Sequence, residues 1–150
     1  MINDKIDLLK KKFITFCKLV TNMVEDSINA YITENEEKLL KIIEVDEVEA
    51  NKMELEIDEL CTNIIAQYEP RAKNLRTILM ILKINNDLER IGDLAVNISE
   101  SAQFLIKSPL SNFHNEFTKM HSYVKNMLNE SIDCFINENP DKARTIIELD

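Results

Sequence analysis

One glycine, three prolines and no tryptophan occur in 150 residues, and the shortage of glycine and proline removes whole classes of protein. So few turn residues leave β-sandwiches, barrels and glycine-loop nucleotide folds without the bends they need. Basic residues are outnumbered 18 to 27, for a net charge of −9 and a pI near 4.8. That field repels a polyanion, and no basic patch interleaved with aromatics offsets it, so nucleic acid is excluded as a partner. No apolar run approaches the roughly 18 residues of a membrane span, and no membrane insertion is expected. The N-terminal MINDKIDLLKKKF is charged and has neither an apolar core nor a cleavage site. Cys17, Cys61 and Cys134 are odd in number and widely spaced. They read as reduced thiols buried as small hydrophobes, in a cytoplasmic protein.

What is present is helical periodicity. Ile6, Leu9, Phe13, Phe16, Val20, Met23 and Ser27 step by three and four, a seam on one helix face. A second seam runs from Leu39 through Ile43, Asp46, Ala50, Met53, Ile57 and Leu60 to Ile64. A third passes through Ile81, Leu88, Ala95 and Ala102 to Leu105, and a fourth from Phe113 to Cys134. Each predicts a helix of about 30 residues, on the order of 45 Å long. Pro70, Pro109 and Pro140 each stand at a predicted helix start, with Ser108 and Asn139 as N-caps. Asn35 and its polar neighbours mark the first turn. Short connections make neighbouring helices antiparallel.

The chain also repeats itself. NMVEDSINAYITENEEKLLKIIEVD begins at Asn22, and NMLNESIDCFINENPDKARTIIELD begins at Asn126. Roughly half the aligned positions are identical, more than shared helical patterning gives. The same offset carries Phe13 to Phe117 and Val20 to Val124. The reading is an all-α chain: a three-helix repeat over residues 1–107, then the first helix and a short stub of an incomplete second repeat over 108–150.

Asp46 interrupts an apolar seam, and a buried carboxylate needs a cation, a proton or water. A hairpin turning near Tyr68 and Glu69 would set Asp46 level with Ile91, inside NNDLERIGDLAVN. Glu89 and Asp93 are four residues apart there, on one helix face, and Asn97 and Glu100 extend it. Three carboxylates at one level suit a cation with oxygen ligands. The competing reading makes Glu89 and Asp93 a solvated acidic face, the same spacing recurring at Glu54 and Asp58 with no obvious function, and pairs Asp46 to Arg90 or Arg76. Gly92, the lone glycine, lies mid-helix at a cost of about 1 kcal/mol against alanine. A close neighbouring helix or a bound ion would explain it.

The stretch IAQYEPRAKNLRTILMILKINNDLERIGDLAVNISE resembles the signature of the PhoU family, almost completely so from Asp87 to Ile98. One departure is Asn74, where the family pattern has an aspartate. The resemblance implies two repeated three-helix bundles and a cytoplasmic regulator of phosphate transport and phosphate signalling. Its implied partners are the phosphate ABC transporter and its sensor kinase, and no enzyme activity is expected. It also implies a metal cofactor, iron or zinc, on an acidic motif that falls on Glu89 and Asp93 here.

Other readings compete. A ferritin-like di-metal oxidase needs Glu-x-x-His pairs, and neither His114 nor His121 has a glutamate three residues before it. A metal-free helical interaction module stays open. Phe113, Phe117, Met120, Val124 and Met127 share one face of the fourth helix. Leaving them in water forfeits about 1.5–3 kcal/mol each. The expectation is that they pack against a second subunit in a homodimer.

Overall fold

The computed structural model describes residues 1–108 and 114–149, and every regular element among them is a helix. Helix α1 spans Ile2–Ile32, and α2 is the short segment Glu36–Lys41. A single π-helical turn, Ile42–Asp46, joins α2 to α3, Glu47–Tyr68. Helix α4 runs Ala72–Ile106, α5 runs His114–Ile136, and α6 is Pro140–Ile147. The second predicted helix is therefore one rod with a widened turn inside it. Pro109 and Phe113 lie outside the described residues, as does the side chain of His114.

Helices α1, α3 and α4 enclose the core. The first seam is buried along its length, with Leu9, Phe16, Val20 and Met23 at or below 1% exposure. Ile57, Cys61 and Ile64 enter from α3, and Ile78, Ile81, Leu88 and Ala95 enter from α4. Burial pushes the Cys17 and Cys61 thiols up to about 12, so both stay protonated and unreactive. Gly92 lies where α4 crosses α1. A Cβ there would meet Met23 Cε at 3.8 Å and Val20 Cγ2 at 3.9 Å, ordinary contact distances. An alanine methyl would therefore fit, and the crossing limits only larger side chains at this position.

With glycine so scarce, helix ends are closed by other residues. Glu34 and Glu138 take left-handed φ values of 51° and 50° just after α1 and α5. Asn35 and Asn139 follow, and each side-chain oxygen accepts from the backbone N–H three residues on, at 3.0 Å from Lys38 and from Lys142. Each asparagine N–H donates back to the preceding helix, to Ala30 O and to Cys134 O. The repeat thus extends to a duplicated turn. Pro140 opens α6 with Asn139 as its cap, as predicted.

Helix α5 departs from the expected arrangement. It lies against α1 of the same chain, with the Phe135 ring 5.2 Å from Phe13 and the Phe117 ring 6.1 Å from Tyr31. Leu128, Ile132 and Phe135 pack on the core. Those three form a stripe beside the predicted seam, so the helix is rotated from it. Lys125 pairs with Glu25 across the contact. Phe117, Met120 and Val124 keep 37%, 57% and 47% exposure, and Met127 is half-buried.

A carboxylate face on the third and fourth helices

Asp46 ends the π-helical turn and is 9% exposed. Both of its oxygens accept from Lys41 Nζ, at 2.7 and 2.8 Å. A π turn closes over five residues instead of four, so residues five apart meet on one face. The buried carboxylate is thereby neutralised from its own rod, with Arg90 and Arg76 uninvolved. A uniform helical period puts Lys41 on another face, so the sequence does not show this partner.

Glu89 is half-buried on α4 and Asp93 lies one turn on. The Glu89 carboxyl is pushed above the usual carboxylate range, first by burial and next by the Asp93 charge and a hydrogen bond to Asp93. Glu54 of α3 adds a further like charge, and Arg90 offsets part of the effect. Nearby, fully buried Asn85 donates through Nδ2 to the Glu54 backbone carbonyl at 2.9 Å, while its Oδ1 has no partner. The α3–α4 hairpin therefore brings Glu54, rather than Asp46, into electrostatic range of Glu89. The sequence signal is the Glu54-x-x-x-Asp58 spacing, which copies Glu89-x-x-x-Asp93 but carries no obvious function by itself. Asn97 and Glu100 are exposed further along α4.

Carboxylates crowded against their own repulsion are oxygen donors of the kind a hard or borderline cation takes. The fit is incomplete, however. Among the described residues, no three His, Cys, Asp or Glu side chains stand together as a group that could hold a metal ion. Asp46, Glu89 and Asp93 are not assembled as one.

The architecture is that of a long-helix bundle with an acidic hairpin face and no described helix long and apolar enough to cross a membrane. The PhoU domain family matches residues 13–102 and 117–150, and the chain belongs to that family. It is 34% identical over 146 residues to the phosphate-specific transport system accessory protein PhoU homolog of Aquifex aeolicus, covering 97% of this chain and 66% of that one. Against the PhoU accessory protein of Escherichia coli the identity is 28%, over 99% of this chain and 61% of the relative. The crystal structure of PhoU from Pseudomonas aeruginosa superposes with a TM-score of 0.91 at 31% identity, covering 97% of this chain and 69% of that chain. The chain thus spans about two thirds of the length of the relatives it matches.

Proposed function

We propose that this chain regulates phosphate transport and phosphate signalling through protein contacts and without catalysis. Its partners in this reading are a phosphate ABC transporter and the associated sensor kinase, on the cytoplasmic side of the membrane. The family match supports the reading, together with the near-complete motif from Asp87 to Ile98 on α4. The test is expression in bacteria lacking their own PhoU, with a phosphate-starvation reporter as readout. Restored repression in phosphate-rich medium is expected. A reporter left fully on by well-expressed protein overturns the proposal.

A metal cofactor, iron or zinc, belongs to the same proposal. Glu89 and Asp93 would hold it with Glu54, and Asn97 and Glu100 lie further along the helix. The mutual repulsion that raises Glu89 supports this, since a cation would relieve it. Elemental analysis of the purified protein should find bound metal, and converting both Glu89 and Asp93 to alanine should remove it with helicity unchanged. Equal metal in the double variant sinks the assignment. The metal-free interaction module is the second reading, favoured by the Lys41 partner of Asp46 and by the lack of a three-ligand group among the described residues. The half-exposed strip of Phe117, Met120 and Val124 supports a homodimer. Light scattering at micromolar concentration should report twice the chain mass, and Phe117→Glu should halve it.

A further inference from the structure

Helices α1, α4, α5 and α6 leave a cavity of about 750 Å³ between them, within the roughly 300–1,000 Å³ span of small-molecule sites. Its walls are apolar, formed by Phe13, Ile84, Phe135 and Ile146 among others. The charged side chains that line it are Lys10, Lys73, Arg76 and Glu138. Three cations against one anion is a reversal in a chain of net charge −9. The segment Arg71-Ala72-Lys73-Asn74-Leu75-Arg76 carries no acidic residue at all.

The lining already holds one carboxylate. Glu138 accepts from Lys73 Nζ at 2.7 Å, and the Lys73 contact, with Lys10 beyond it, holds its carboxyl below the usual range. Arg76 has no ion pair among the described residues and is an exposed residue of the same lining. A second carboxylate, attached to a body that fills the apolar interior, satisfies both features at once. We propose that this cavity binds a free long-chain fatty acid, its carboxylate at Arg76 and Lys10 and its tail along Phe13, Ile84 and Phe135. The site is remote in kind from the acidic hairpin face and does not depend on the function proposed above.

The test titrates the full chain with the fluorescent fatty acid cis-parinaric acid, and then displaces it with unlabelled compounds. Palmitate should displace at micromolar concentration, while uncharged hexadecanol and cationic hexadecyltrimethylammonium should each be at least tenfold weaker. Shortening the acid from palmitate to myristate to laurate should weaken binding about fifteenfold per step, because each step removes two methylenes and each buried methylene is worth about fourfold. Arg76→Glu combined with Lys10→Glu should cost tenfold or more, and raising salt should erase most of that difference. Ala143→Trp, which fills the cavity from α6, should abolish probe binding without altering the thermal melt of the chain. Absence of saturable binding up to about 1 mM overturns the proposal. So does equal binding of palmitate and hexadecanol, binding only to anionic phosphatidylglycerol vesicles, or loss of the probe signal through self-association of the chain.

Discussion

Phe13 and Phe117 occupy the same place in the repeat, and so do Val20 and Val124, yet their surroundings differ sharply. The α1 residues are 2% and 0% exposed, whereas the α5 residues are 37% and 47% exposed. Met23 and Ser27 are buried, while Met127 is half-buried and Ser131 exposed. Periodicity is the same in both seams, so it cannot be what separates them. The difference is the number of helices available to each: α1 meets α3 and α4 on its seam face, and α5 meets mainly α1. An amphipathic stripe specifies that a face wants cover. Which neighbour supplies the cover is decided by the rest of the fold.

The largest break in this comparison should come from truncating the paired phenylalanines. Phe13→Ala should cost about 3–5 kcal/mol in urea denaturation, as core phenylalanines do. Phe117→Ala should cost about 1 kcal/mol, the scale of its ring contact with Tyr31. Equal losses would mean that both seams are buried alike in solution.

Gly92 sharpens the same contrast at the α1–α4 crossing. Gly92→Leu should destabilise by about 1–3 kcal/mol through overpacking against Val20 and Met23. Gly92→Ala should stabilise by up to about 1 kcal/mol, since its methyl fits at ordinary contact and the helix gains propensity. A Leu variant more stable than the parent would place this crossing apart from the core.

Helix α5 should respond to far weaker changes. Lys125→Ala removes the ion pair to Glu25 and should cost about 0.2–1 kcal/mol. Amide exchange should quicken along α5 and stay unchanged in α4. Uniform quickening would show that α5 unfolds only together with the bundle.

The smallest effect belongs to the outer face of the first unit. Glu89 has a raised carboxyl pKa in the folded chain, so folding favours its protonated form. The stability associated with that proton is present at acidic pH and is lost as pH rises through the folded pKa. Glu89→Gln should therefore stabilise by about 0.2–0.5 kcal/mol at neutral pH, the scale of a like-charge pair one turn apart. The gain should fade below the ordinary carboxylate range. A gain that persists there would have to come from packing.

Much of the fold was legible because seams at three and four residues survive in any helical context. The cap at Asn139 and the turn at Asn35 were legible for the same local reason. The partner of Asp46 was not, because a π turn breaks the period on which facing residues are inferred. The rotation of α5 was not, because Leu128, Ile132 and Phe135 compete with Phe117, Met120 and Val124 for the same cover, and only packing selects between stripes. Of the carboxylate face, Glu89 and Asp93 were found as a pair one turn apart. Glu54 is not legible as their neighbour, because hairpin register, and hence which acidic turn of α3 faces α4, is a tertiary property.

The duplicated turn at Glu34-Asn35 and Glu138-Asn139 has a consequence for how the chain folds. Its hydrogen bonds link residues no more than five apart, from Asn35 N to Ala30 O in one copy and from Asn139 N to Cys134 O in the other. Closing so short a loop costs little chain entropy and takes well under a microsecond once the flanking helix exists. Both corners can therefore form before any distant pair of helices has met. The slower steps are left to the docking of α4 and α5 on α1, which joins residues far apart in the sequence.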